Sequence, residues 1–167
     1  MDWQALRFAY AASHNGDVES DGLNQDRAAM RAAVAAFDWA KAAANAEAII
    51  GQAYVDGEAH MAAWLAYSHL DRKAEAEREA LVGNGLFRSI QSGEGATTTT
   101  AFTVICVREE YQLMNILGRR ITQQALRREG GHAYDILETQ DKLGDKRTYY
   151  FLIDRALADE MARFSLK

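Results

Sequence analysis

Proline is missing from this 167-residue chain, and cysteine occurs once, at Cys106. Average usage of about 5% would give roughly eight prolines, so helix ends must be set by Gly, Asp and Asn. A lone cysteine excludes an intramolecular disulfide and the usual thiolate zinc sites, and leaves oxidising and reducing compartments both open. No run of about 18 apolar residues exists, so no membrane-spanning helix is expected. The opening MDWQALRFAY lacks the charged flank, apolar centre and small-residue cleavage site of a signal peptide, and the chain as given reads as soluble. Positive charge is in deficit, with 19 Lys and Arg against 24 Asp and Glu and a formal charge of -5. A phosphate backbone or an anionic membrane is therefore not the expected partner.

What the chain does have is helical periodicity followed by alternation. Its length suits one compact domain or two tightly docked halves, large enough for a core without staples. Asp2 is placed to cap a first helix presenting Leu6, Ala9 and Tyr10, which Asn15-Gly16 would stop, and NGDVESDG reads as a loop. Helices are predicted over about residues 25–36, with Met30, Val34 and Phe37 at helical spacing, and 39–51, with Ala46, Ile49 and Ile50 inward. A third, after Asp56-Gly57, carries His60, Ala63, Trp64 and Tyr67; a fourth runs from Asp71 through Leu81. Gly83-Asn84-Gly85 is expected to break it, since each interior glycine costs up to about 1 kcal/mol.

From Phe102 the period becomes two: Phe102, Val104 and Cys106 alternate with Thr103, Ile105 and Val107, as in a strand buried on both faces. Residues 109–117 read as a short helix closed by Gly118. Strands near 120–127, 133–139 and 148–153 form a small antiparallel sheet, with turns at Gly130-Gly131 and Leu143-Gly144-Asp145. Asp154 would cap a last helix bearing Leu157, Met161 and Phe164. The expected class is α+β, with a helical half over residues 1–91 and a β-rich half over 92–167 docked as one domain.

The helix turn at Phe37-Asp38 recurs at Leu70-Asp71, 33 positions later. With an apolar first helix and an Ala-bearing second helix, residues 26–83 resemble tetratricopeptide repeats, which run about 34 residues as two antiparallel helices. Trp64 stands where that repeat has a small residue, and both copies lack its terminal proline. Two units make no long superhelix, so the sheet half is expected to cap the stack.

The stretch SGEGATTTTAF, residues 92–102, joins the two patterns. It lacks the lysine and spacing of a phosphate-binding loop and follows helix where that motif follows strand, so it reads as a joint: Gly93 and Gly95 turn the chain and four threonines start a strand. Glu94 is its only group able to do acid or base work. Glu109-Glu110-Tyr111 places two carboxylates at a helix start, suited either to helix charge or to acid-base or cation chemistry; a second aligned carboxylate would have to be Glu94 or Asp135. Histidines 14, 60, 69 and 132 show no metal-ligand spacing, and His60 reads as a hydrogen-bonded, partly buried residue. Neither metal nor cofactor is expected. Cys106 reads as core, and Arg119-Arg120 with Arg127-Arg128 as the charged ends of an edge strand.

Landmarks along nearly the whole chain resemble an uncharacterised bacterial family classed as a domain of unknown function. They are Asp2-x-x-x-Leu6-Arg7-x-Ala9-Tyr10, Ala59-His60, residues 86–90 followed by Ser92-Gly93-Glu94-Gly95, Ala101-Phe102, Glu109-Glu110-Tyr111, Asp135 and Tyr150-Phe151. The resemblance implies no activity and no catalytic residue. It implies export for members that carry a signal ahead of the first helix, and a cytoplasmic location for a chain without one.

The leading functional expectation is a non-enzymatic interaction module of immunity or adaptor type, binding a protein or peptide. Alternatives are a small hydrolase using Glu94, Glu109, Glu110 and His60, and an envelope structural protein. The candidate binding seam comprises Arg7, Tyr10, His60, Glu94, Glu109, Glu110 and Tyr111. No catalytic residue is assigned.

Overall fold

A computed structural model describes residues 1–13 and 20–157. The chain divides into two compact units, residues 1–88 and 89–167, a boundary three residues ahead of the expected one. Helices dominate the first unit and a four-stranded sheet the second: the class is α+β.

The helical unit contains α1 (Trp3–Ala12), α2 (Asp21–Ala35), α3 (Trp39–Gln52), α4 (Gly57–His69) and α5 (Lys73–Ile90), whose last residues pass the boundary. Aspartates supply three of the starts: Asp2 accepts from the Ala5 amide at 2.9 Å, Asp38 from Lys41 at 3.1 Å and Asp56 from Ala59 at 3.0 Å. Ser20 caps α2, which begins four residues earlier than expected. Each cap satisfies an amide that the helix itself leaves open.

Neither hairpin stop uses glycine. After α2 the chain turns through Phe37 at φ 58°, and after α4 through Asp71 at φ 62°, 34 positions on. Each turn is closed by a six-residue backbone bond, from Asp38 to the Ala33 carbonyl at 3.0 Å and from Arg72 to the Tyr67 carbonyl at 2.9 Å. The helices obey the same 34-residue interval: α2 and α4 end at 35 and 69, and α3 and α5 begin at 39 and 73. The period is one residue longer than the sequence comparison suggested, because the equivalent of Phe37 is Asp71, not Leu70. A bulky residue at positive φ is strained, and Phe37 points outward, 72% exposed, its ring edge-on to Trp39.

The core of this unit is made largely of alanines, among them Ala42, Ala46, Ala59, Ala63 and Ala66, with Met30, Ile49 and Tyr67. Small side chains let the helices approach closely. In α1 the buried residue is Arg7, while Ala9 is exposed. The expected break at Gly83-Asn84-Gly85 does not occur; α5 runs through it. A Cβ on Gly83 would lie 2.9 Å from the Met61 sulfur, and one on Gly85 2.3 Å from the Trp3 ring. These glycines admit neighbouring side chains against the helix, and that packing outweighs their low propensity.

In the second unit the sheet order is β1 (Phe102–Thr103), β4 (Lys146–Leu152), β3 (His132–Gln140), β2 (Arg120–Glu129). The three long strands are antiparallel, as expected. β1, however, runs parallel to β4, pairing Phe102 with Phe151, so the sheet is mixed. It is also only two residues long, because the chain bends at Val104 to Cys106 and enters α6 (Val107–Ile116) two residues earlier than expected. Cys106 is the buried N-cap residue of α6. Gly118, at φ 66°, closes α6 through the bond from Arg119 to the Met114 carbonyl, 2.8 Å.

Gly130 and Gly131, both at positive φ, form the two-residue β2–β3 turn. Asp141 organises the β3–β4 turn by accepting from the Leu143 and Asp145 amides, each at 2.9 Å. Asp154 does not cap: its carboxylate accepts from the His132 ring at 2.5 Å and the Ala133 amide at 2.8 Å, while Ile153 begins the last helical turn. Met161, Phe164, His14 and Asn15-Gly16 lie outside the described residues.

Candidate functional site

In the helical unit a cleft of about 560 Å³ lies between α3 and α5. From α3 come Glu47, Ile50 and Gly51; Tyr54 follows it; Tyr67 stands in the last turn of α4. Glu75, Arg78, Glu79 and Val82 share one face of α5 because they lie three and four residues apart. Arg72, from the α4–α5 turn, completes the rim.

These side chains are tied together. The Tyr67 hydroxyl donates to Glu47, and the Arg72 guanidinium lies over the Tyr67 ring, 4.3 Å from its centre. Arg72 Nε also donates to Glu75 at 3.0 Å, and Arg78 Nε to Glu79 at 2.9 Å. Behind the wall, His60 Nδ1 meets the other Glu79 oxygen at 2.6 Å, and His60 Nε2 meets the Tyr54 carbonyl at 2.8 Å. A carbonyl only accepts, so Nε2 carries hydrogen; the Nδ1 contact then needs a proton on the ring or on Glu79.

Burial, the hydrogen bond to Glu47 and that carboxylate's charge together push the Tyr67 phenol up to about 12, against the opposing charge of Arg72. Folding thus favours the protonated phenol. This contribution is complete below the unfolded value of 10.0 and is lost as pH rises through about 12. In an absorbance titration at 295 nm, subtracting Tyr67→Phe from the wild-type chain should leave one phenolate that appears near pH 12. Its appearance near pH 10 would show that Tyr67 is not held this way.

A family model for a domain of unknown function, DUF4919, matches residues 4–162. The chain belongs to this family. Comparison with the curated proteins and with the solved structures gave no match.

Within this DUF4919 chain the sequence-derived seam residues divide between the two units: Arg7, Tyr10 and His60 in the helical one, Glu94, Glu109, Glu110 and Tyr111 in the other. His60 supports the cleft from behind, being 1% exposed. Tyr10 donates to the Gln52 carbonyl at 2.5 Å. Burial and then the Asp56 carboxylate push its phenol up, opposed by Arg27. Arg7 is fully buried, with its guanidinium 5.9 Å from the centre of the Phe8 ring.

In the sheet unit Glu94 is exposed in the joint, while Glu109 turns back to accept from the Ile105 amide at 2.9 Å. Glu110 is fully buried. Tyr111 donates to Gln124 at 2.6 Å, and Gln124 to Asp135 at 2.8 Å. Burial first, then the charges of Glu110 and Asp135, push the Tyr111 phenol up. The carboxylate near the Glu110–Tyr111 pair is thus Asp135. Among the described residues no group of three or more His, Cys, Asp or Glu is placed to hold a metal ion, and no helix is long and apolar enough to cross a membrane.

The DUF4919 cleft residues Glu47, Arg72, Glu75, Arg78 and Glu79 were not singled out by sequence reasoning. A signal was present: RKAEAERE, residues 72–79, places opposite charges three and four apart on a helix. Such runs ordinarily mark a solvated helix face, and here Glu47, Ile50 and Gly51 of α3 stand across the cleft from it.

Proposed function

We propose that the helical unit is a tetratricopeptide-like interaction module whose α3–α5 cleft holds a segment of a protein or peptide partner, in an immunity or adaptor role. The cleft itself carries this reading. Ile50, Tyr54 and Val82 offer apolar surface, and the paired charges of Arg72–Glu75 and Arg78–Glu79 form a polar rim around it. That combination of apolar floor and polar edge suits a peptide segment, with the rim setting orientation. Both arginines bond inward through Nε, so their terminal N–H groups are available to a partner. The 34-residue recurrence of the hairpin supports the repeat reading, since each helical pair buries its apolar face only against a neighbour.

Tyr54 and Arg72 are exposed, so Tyr54→Arg and Arg72→Glu can alter the rim with little effect on the core. Partners recovered from the source organism by the wild-type chain should fall at least about tenfold with each variant, under conditions where circular dichroism shows each variant to be folded. Leu143→Arg, at a turn 95% exposed in the other unit, should retain them. Equal recovery by all three variants would reject the cleft as the binding site.

A further inference from the structure

We infer that β2 is a strand-addition site for an extended, acidic segment of a partner protein. This surface is independent of the cleft. Among the described residues β2 pairs on one side only, with β3, and its ten residues are exposed apart from a half-buried Ile121. The register with β3 is irregular between Ile121 and Gln123, where the Thr122 hydroxyl donates to the Glu138 carbonyl, but continuous from Gln123 to Glu129. Seven residues in regular extension match an ordinary strand length, and they present an outer row of backbone donors and acceptors.

Charge selects the occupant. β2 carries Arg120, Arg127 and Arg128 against one carboxylate, Glu129, within a chain whose formal charge is -5. Arg127 lies 3.7 Å from Glu129 with both side chains about half exposed, a contact that leaves the guanidinium accessible. A second copy of β2 offers these three arginines a single carboxylate, Glu129, whereas a strand of opposite sign can set one against each. Consecutive strand residues point to opposite faces. Arg127, across from Tyr134, and Arg128, across from Ala133, therefore lie on different faces of the sheet. An incoming strand satisfies both only with two adjacent carboxylates. Leu126, 58% exposed between Ala125 and Arg127, adds an apolar contact for a neighbouring β-branched side chain. Backbone pairing supplies the attachment, and the acidic pair supplies register and selection.

The test uses the whole chain and a blocked eight-residue peptide of threonine and valine with a central pair of glutamates. It should bind and slow hydrogen exchange at amides of residues 123–129. Replacing the glutamates by lysines, or methylating alternate peptide amides, should each weaken binding at least about tenfold. Arg127→Glu combined with Arg128→Glu, both on the exposed strand, should do the same, whereas Tyr54→Arg should bind normally; the latter separates this inference from the cleft reading. Equal binding by the methylated peptide would reduce β2 to a charged patch and overturn strand addition. Absence of protection at residues 123–129, or a concentration-dependent dimer formed through β2 in sedimentation, would overturn it equally. Should the double variant fail to fold, the methylated peptide and the unaltered chain decide alone.

Discussion

Replacing Arg27 by methionine should destabilise the helical unit by about 3–5 kcal/mol, the cost of leaving one member of a buried ion pair alone. Arg27 Nε and Nη2 both reach the same Asp56 oxygen at 2.6 Å, with the two side chains 0% and 1% exposed. Methionine keeps most of the volume, so a cavity contributes little. The loss comes from Asp56, which stays in place because its other oxygen caps α4 at the Ala59 amide. Adding Asp56→Asn removes the stranded charge and keeps a capping oxygen, so the double variant should recover at least about 1 kcal/mol. Urea unfolding followed by circular dichroism measures both. A loss below about 1 kcal/mol for Arg27→Met would show that the pair is weakly desolvated.

The second large effect is expected at the joint. A Cβ on Gly93 would lie 2.4 Å from the Thr100 carbonyl oxygen, and backbone has little room to yield. That carbonyl also accepts from the Gly95 amide at 2.7 Å, and the Gly95 carbonyl accepts from Tyr150 at 2.9 Å, tying the loop to β4. Gly93→Ala should therefore cost about 2–4 kcal/mol by forcing the loop off the strand. Gly95→Ala should cost a similar amount for two reasons: its φ is 68°, and the new methyl would stand 2.6 Å from the Phe102 ring. Phe102 is 3% exposed and packed edge-on to Phe151, so it cannot easily withdraw. Controls are available in Gly22 and Gly51, helical positions where an added Cβ meets nothing within 4 Å. Alanine there should be neutral or stabilise by up to about 1 kcal/mol. Equal effects at all four glycines would refute the joint as a close-packed element.

This loop also shows where local reasoning stops. The glycines act as expected, but the threonines do not start a strand. Thr98–Thr100 is a short 3-10 turn, with a capping box in which the Thr97 amide donates to the Thr100 hydroxyl at 3.1 Å. Threonine's β-propensity describes a half-buried pleated surface, whereas here the hydroxyls bond within the turn.

The sequence by itself determined the α+β order, the Asp2 cap, the Gly130-Gly131 hairpin and the Gly118 stop. Each depends on interactions spanning a few residues, so residue identity carries the information. Tertiary structure decided the rest. Gly83 and Gly85 became contact points inside α5 because Met61 and Trp3 pack against them; β1 became parallel because β4 lies beside it; and α1 buried Arg7 where Ala9 was the apolar choice. The cleft belongs to the same class. Glu47 and Tyr67 are 20 positions apart, and His60 and Glu79 are 19 apart. Nothing local to either residue specifies its partner: the close approach of alanine-faced helices brings them together, and the cost of leaving buried polar groups unsatisfied then selects the hydrogen bonds they make.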